Sequence, residues 1–146
     1  MNIKLATLNE VHDIAPLFNA YRVFYGQPSD IEGATAFIQE RLTNNESIIF
    51  VAIQEGKFVG FTQLFPTFSS VAMKKAFILN DLFVDPQFRR MGIAEQLMAA
   101  AFQYAEKQNA RFITLETGSL NIQAQALYEK IGMFEEDSVK HYIHYW

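Results

Sequence analysis

Cysteine is absent from the 146 residues, which excludes disulfides, thiolate nucleophiles and zinc sites built on sulfur. Any catalysis must therefore run on oxygen and nitrogen groups. No apolar run approaches the ~20 residues that a bilayer crossing needs. The opening Met1-Asn2-Ile3-Lys4-Leu5 also lacks the continuous apolar stretch of a secretory signal, so a cytoplasmic protein without membrane contact is expected. Basic residues are in deficit, 12 against 16 acidic, for a formal charge of −4. That balance argues against a nucleic-acid partner, whose binding draws on clustered Lys and Arg, and suits cationic small molecules better. The dinucleotide pattern G-x-G-x-x-G and the P-loop G-x-x-x-x-G-K-[ST] are both missing. His12, His141 and His144 are too scattered for metal-ligand spacing, and no metal is expected. No internal repeat and no linker rich in Pro, Gly or Ser interrupts the chain, so residues 1–146 read as one domain.

Half the residues are hydrophobic, a balance that supports a packed core. After an apolar segment at 3–6, Thr7-Leu8-Asn9-Glu10 has the pattern of a capping box, and Val11, Ile14, Leu17, Phe18 and Tyr21 follow at helical spacing. Pro16 lies inside that run and predicts a kink, or an end to the helix's first part near Ala15. Ser29-Asp30-Ile31-Glu32 repeats the capping pattern ahead of a second amphipathic face carrying Ala34, Phe37, Ile38 and Leu42. Residues 48–53 and 58–65 are β-branched and aromatic runs separated by Gln54-Glu55-Gly56-Lys57, the length of a hairpin loop. A loop beginning at Pro66 is expected to lead to a third strand over 76–84, ended by Asp85-Pro86. A long helix over 93–107, a short strand over 112–115, a helix over 124–130 stopped by Gly132 and a last strand near 139–145 complete the pattern. Strand, glycine turn, helix, strand is the order of a parallel crossover.

That glycine turn is the informative stretch. In Val84-Asp85-Pro86-Gln87-Phe88-Arg89-Arg90-Met91-Gly92-Ile93-Ala94 a strand ends, two arginines follow, and small residues open a helix. Close-approaching main-chain N–H groups, a helix N-terminus and guanidinium groups together suit a diphosphate. The same residues also suit a plain tight turn with solvated arginines.

Arg89-Arg90-Met91-Gly92-Ile93-Ala94 resembles the R/Q-x-x-G-x-G/A segment of the GNAT acetyltransferase superfamily, placed after the strand Leu82-Phe83-Val84. The later run Asn121-Ile122-Gln123-Ala124-Gln125-Ala126-Leu127-Tyr128-Glu129-Lys130-Ile131-Gly132-Met133-Phe134 resembles that family's second signature, N-x-x-A-x-x-L-Y-x-K-x-G-F. The resemblance implies an α/β fold with a central mixed, mostly antiparallel sheet, splayed parallel central strands and flanking helices. It also implies acetyl-CoA as cosubstrate, met by Leu82, Phe83 and Val84 at the pantetheine. Arg89, Arg90, Met91, Gly92, Ile93 and Ala94 would lie around the pyrophosphate, with Asn121 and Lys130 as further contacts. Ala94 stands where many members have a second glycine.

Acyl transfer from a thioester to an amine needs a neutral amine, oxyanion stabilisation and a proton for the departing thiolate. The resemblance implies Tyr128 as that acid, against the plainer reading of Tyr128 as a core residue on the face shared by Ala124, Leu127 and Ile131. Asn80 occupies the position where polyamine-type members carry a glutamate, and asparagine accepts no proton usefully. Alternation along a regular strand turns Asp81 away from Asn80 and Leu82, so no general base is assigned among Asp81, Glu116 and water. Segments 21–30 and 64–70 resemble the acceptor side of the small-amine branch, which implies Tyr25, Asp30, Phe65, Asn80, Asp81 and Glu116 as substrate contacts. The expected activity is acetyl transfer to a small primary amine, a diamine or polyamine or an amino-acid-like molecule. A noncatalytic acyl-CoA-binding protein and a protein N-acetyltransferase are the alternatives. A homodimer is expected, with the aromatic segment 141–146 a candidate for its two-fold contact.

Overall fold

Glu55 and Gly56 both take positive φ, 51° and 78°, the twist that a two-residue hairpin turn requires. They join β2 (Ile48–Gln54) to β3 (Lys57–Ser69) in an antiparallel pair, as the sequence pattern predicts. In this computed structural model, which describes residues 1–146, β1 (Asn2–Leu5) pairs with β2, and β3 pairs with β4 (Lys74–Val84), all antiparallel. Then β5 (Ile113–Thr114) pairs with β4 in parallel, giving one five-stranded sheet in sequence order. The chain divides into two compact units, Met1–Glu116 and Thr117–Trp146, and this sheet lies in the first.

The expected loop at Pro66 is instead strand, paired with Phe77 of β4. Proline is tolerated there because β2 pairs with β3 only as far as Leu64, so beyond it β3 has an open edge where a missing N–H costs no ladder bond.

Thr7 caps a single 3-10 turn through the reciprocal bonds with Glu10, and α1 (Val11–Phe24) continues from it. Pro16 does not end α1. The ring forfeits one bond, to the carbonyl four residues back, while Ile14, Leu17 and Phe18 on either side stay buried and hold the axis on the sheet. In α2 (Ile31–Thr43) the N-cap is Asp30, whose side chain accepts the Gly33 N–H at 2.9 Å. The capping frame is therefore one residue later than the Ser29 pattern implies, because Ser29 is engaged elsewhere, its Oγ bonded to Asn19 Nδ2 at 3.0 Å.

Alternation then sorts the core. Ile49 and Val51 of β2, with Phe61 and Phe83, meet Ile14, Phe18 and Ile38 of α1 and α2 on one face. Ala52, Val59 and Val84 meet Ile93 and Leu97 of α3 (Ile93–Lys107) on the other. Gly60 is what allows α3 so close, since a Cβ there would sit 3.1 Å from the Phe83 carbonyl oxygen and 3.4 Å from side-chain carbons of Ile93 and Leu97.

In the second unit, α4 (Ile122–Lys130) is capped by Asn121, whose side chain accepts the Ala124 N–H at 3.2 Å. Gly132, at φ 99°, follows its C-terminus as expected, and the Met133 N–H returns to the Tyr128 carbonyl at 3.0 Å. The expected strand over 139–145 does not form. Its residues carry strand propensity, but propensity without a ladder partner makes no strand.

Candidate functional site

The two parallel strands pair only at Phe77 and Ile78 with Ile113 and Thr114. Past that point β4 runs on to Val84 with no strand beside it on the β5 side, so main-chain groups along 79–84 are left on an open edge. Phe83 and Val84 bury their side chains on opposite faces of the sheet, and Leu82 packs half-buried beside Val84, which leaves the backbone as the part able to meet a ligand.

Beyond Val84 a 3-10 turn at Pro86–Phe88 carries the chain into the glycine turn. Arg90 and Gly92 both adopt the left-handed region, at φ 65° and 76°, a costly conformation for the arginine. Gly92 is the N-cap of α3 and brings no side-chain acceptor, so the first N–H groups of the helix have no capping partner. An anion such as a pyrophosphate fits that end, where the unsatisfied donors and the helix dipole act together. Nothing lies within 4 Å of where a Gly92 Cβ would be. Ile93 is buried in the core, Met91 is exposed, and Arg90 is free at the surface beside them. Arg89 is partly committed: its Nε donates to the Val84 carbonyl at 3.0 Å, and its guanidinium lies 5.5 Å from the Phe24 ring centre and 5.6 Å from that of Phe83.

On the α1 and α2 face of the sheet a cavity of about 420 Å³ opens between Phe18, Tyr21 and Arg22 of α1, Asp30 and Phe37 of the α2 segment, Gln63 and Phe65 of β3, and Asn80 and Asp81 of β4. Of the expected substrate contacts it brings together Asp30, Phe65, Asn80 and Asp81; Tyr25 packs against Tyr21 at 4.9 Å and Glu116 is exposed, and neither lines this cavity.

Asn80 and Asp81 share the cavity because β4 is bulged. Gln63 is opposite Asp81 and Leu64 is opposite Leu79, so Asn80 is an extra residue in the ladder and the regular alternation expected at this point fails. Asn80 Nδ2 donates to Asp81 Oδ1 at 3.0 Å, Gln63 Nε2 donates to Asp81 Oδ2, and Ser47 Oγ donates to Gln63 Oε1 at 2.7 Å. The Tyr21 hydroxyl donates to the Asn80 carbonyl at 3.3 Å. Burial pushes the Asp81 carboxyl above its ordinary range, against the pull of hydrogen bonds from Gln63, Asn80 and Tyr21 that favour the ionised form. No Lys, Arg or His pairs with it. Gln63 and Ser47 are not among the sequence-derived candidates; the signal for Gln63 is an amide beside Thr62 in the middle of a mostly apolar strand, which only a buried partner makes tolerable.

Residues 14–133 match the profile of the Acetyltransferase (GNAT) family, and the chain belongs to that family. It uses acetyl-CoA to transfer an acetyl group. It is similar, at 50% identity over 142 residues, to "Uncharacterized N-acetyltransferase YhfO" of Bacillus subtilis, with 97% of this chain and 95% of that one covered. A crystal structure described as a probable acetyltransferase superposes with a TM-score of 0.95 at 38% identity, covering 100% of this chain and 98% of the other. The fold also matches that of aminoglycoside N-acetyltransferase AAC(6')-Iy in complex with CoA, at a TM-score of 0.79 and 23% identity over 98% of this chain and 93% of that one.

Proposed function

We propose that this acetyltransferase acts on the primary amine of a small molecule bound in the Asp81 cavity. The observation that carries the reading is a buried carboxylate with no cationic partner, 2% exposed, in a cavity walled by Phe18, Tyr21, Phe37 and Phe65. Aromatic faces and the carboxylates of Asp81 and Asp30 suit an alkylammonium group through cation–π contact and charge pairing. Arg22 contributes a guanidinium to the same wall and makes no ion pair or hydrogen bond with it. A second ammonium would be repelled there and an anionic group attracted, so the reading favours an amino-acid-like acceptor over a plain diamine or polyamine.

Acetyl-CoA supplies the acyl thioester when bound. The main chain of Leu82, Phe83 and Val84 holds the pantetheine arm in this reading, and the segment Arg89, Arg90, Met91, Gly92, Ile93, Ala94 holds the pyrophosphate, where the uncapped N–H groups supply donors. Asn121 and Lys130 serve as further contacts, although the Asn121 side chain also caps α4. Asp81 draws the ammonium form of the acceptor into the cavity; the ammonium gives one proton to water, and the freed lone pair attacks the thioester carbonyl, forming the amide C–N bond as the C–S bond breaks. Tyr128, half-exposed on α4, is the residue we assign as proton donor to the leaving thiolate, a role its phenolic O–H can fill.

The test is thiol release from acetyl-CoA over a panel of diamines, amino acids, aminoglycosides and peptides. Turnover on free amino acids or related zwitterions, lost in Asp81→Asn, is the expected result. Turnover confined to peptides or ribosomal proteins, or unchanged in Asp81→Asn, would overturn it.

A further inference from the structure

We infer that Ser47 and Gln63 are positioning residues for acceptor binding: a relay across two strands that fixes the Asp81 carboxylate as the hydrogen-bond acceptor presented to the cavity. The inference rests on the reading that the cavity takes the acceptor amine.

Three buried polar side chains are hydrogen-bonded in succession: Ser47 just before β2, Gln63 on β3 and Asp81 on β4, exposed by 7%, 0% and 2%. Burying a primary amide in an apolar sheet face is costly unless both of its ends are matched, and here they are matched in one direction only. An ionised carboxylate accepts and never donates, so the nitrogen of Gln63 must face Asp81. Its oxygen then faces Ser47, whose hydroxyl donates to it at 2.7 Å. Asn80 occupies the other carboxylate oxygen at 3.0 Å. Each carboxylate oxygen thus accepts one amide N–H, the Tyr21 hydroxyl is a third donor to the carboxyl, and Gln63, Asn80 and Asp81 line the cavity together.

A merely structural role would be served as well by apolar residues of the same size, since replacing matched buried polar pairs by apolar groups is often neutral. The relay's distinct effect is on the charge of Asp81. Its amide donors favour the ionised carboxyl and oppose, without overcoming, the burial that raises it. The other groups facing this end of the cavity are Tyr21 and Arg22 from α1 and Asp30 from the start of α2. β3 offers no titratable side chain there, and Glu116, past β5, is exposed outside the lining.

The experiment follows the Asp81 carboxyl carbon by NMR in the full chain labelled at aspartate, its resonance identified by its loss in Asp81→Asn. Its titration midpoint is measured first, and then its response to added butylamine, in the parent, Ser47→Ala, Ser47→Thr and Gln63→Met. Losing one charge-assisted hydrogen bond moves a carboxyl midpoint by about one unit, so Gln63→Met should raise the midpoint by about one unit and weaken butylammonium binding about tenfold at a pH below it. Ser47→Ala, which frees the amide to turn over, should move both in the same direction by about a third as much, and Ser47→Thr should restore the parent values. An unchanged midpoint in both Ser47→Ala and Gln63→Met would overturn the relay. Shifted midpoints with unchanged butylammonium binding would reduce it to a structural device and overturn the positioning role. A parent Asp81 resonance indifferent to butylamine would instead sink the cavity reading itself, whatever the midpoints do.

Discussion

Asn80 and Asp81 are consecutive residues of β4 whose side chains are hydrogen-bonded to each other, Nδ2 to Oδ1 at 3.0 Å, an arrangement a regular strand forbids. The bulge at Asn80 makes it possible, and it has a chemical consequence. Asn80 supplies an amide N–H to the carboxylate next to it. Asp81 is the buried carboxyl of the cavity, and its replacement is the most direct probe of the site. Asp81→Asn keeps the shape and removes the charge; losing a buried charge pairing with the acceptor should lower kcat/KM for amines about 30- to 100-fold, chiefly through KM, at roughly 2–3 kcal/mol. Steady-state kinetics on the best acceptor checks it.

The same substitution should have an opposite effect on stability. Because burial raises the folded-state pKa of Asp81 above its unfolded value, the folded chain holds that proton more tightly. Its contribution is fully present below the unfolded pKa and is lost as pH rises through the folded pKa. Asp81→Asn removes that loss, so its Tm should exceed the parent's at neutral pH and the difference should close as the solution is acidified. Thermal melts from acid to neutral pH read this directly, and a Tm difference that does not vary with pH would contradict it.

Much of the scaffold is legible in the residues because the signals are local and periodic. The long helix was bounded at 93–107 from apolar spacing alone and is Ile93–Lys107 in the structure, and the strand-turn-helix-strand order correctly implied a parallel neighbour. What escaped reading depends on the partner strand. A one-residue insertion at Asn80 leaves the apolar pattern of β4 intact, so alternation placed Asp81 on the wrong side of its neighbour. Pro66 looked like a strand end because the early stop of β2, which leaves its N–H side open, cannot be seen from β3. Ser29 and Asp30 are equally good caps by type, and only the bond to Asn19 decides between them. The cavity draws on four separated segments, so Asp30, Phe65, Asn80 and Asp81 were named one at a time, while Arg22, Gln63 and Ser47 acquire meaning only from each other.

Arg22 gives the sharpest test of acceptor class. Arg22 lines the same cavity as Asp81, and its side chain makes no ion pair or hydrogen bond. Arg22→Gln should raise KM about tenfold for acceptors that carry a carboxylate, with little change for a plain alkylamine of the same length, the loss of one charge-assisted contact at about 1.4 kcal/mol. Parallel kinetics on an amino acid and its decarboxylated analogue separate the two. Equal losses on both would assign Arg22 to packing instead.

Glu10 closes the capping box at the first helical turn, accepting the Thr7 N–H at 2.8 Å and meeting Lys4 at 3.5 Å. Burial acts to raise its carboxyl, but the Thr7 bonds and Lys4 prevail and hold it below the usual range. Stability from this group is therefore present above its unfolded pKa and lost as pH falls through the folded one. Glu10→Gln should cost about 1 kcal/mol at neutral pH and little in acid. Denaturant midpoints at the two extremes check the sign.

Gly92 and Tyr128 separate the binding half of the reaction from its proton transfer. Gly92 holds φ 76° at the N-terminus of α3 with open space where a side chain would begin, so Gly92→Ala meets no clash and pays only for the left-handed backbone, about 1 kcal/mol. If the turn cradles the pyrophosphate, that substitution should raise KM for acetyl-CoA several-fold and leave kcat nearly unchanged, since a uniformly weakened cosubstrate contact does not alter the chemical barrier. Tyr128→Phe should do the reverse. Removing a general acid lowers kcat by about a hundredfold while acetyl-CoA still binds, and it should abolish the alkaline fall in kcat that ionisation of the phenol produces. A pH profile of kcat for the two variants side by side decides the assignment: an alkaline limb that survives in Tyr128→Phe belongs to another group, and Tyr128 is then a packing residue of α4.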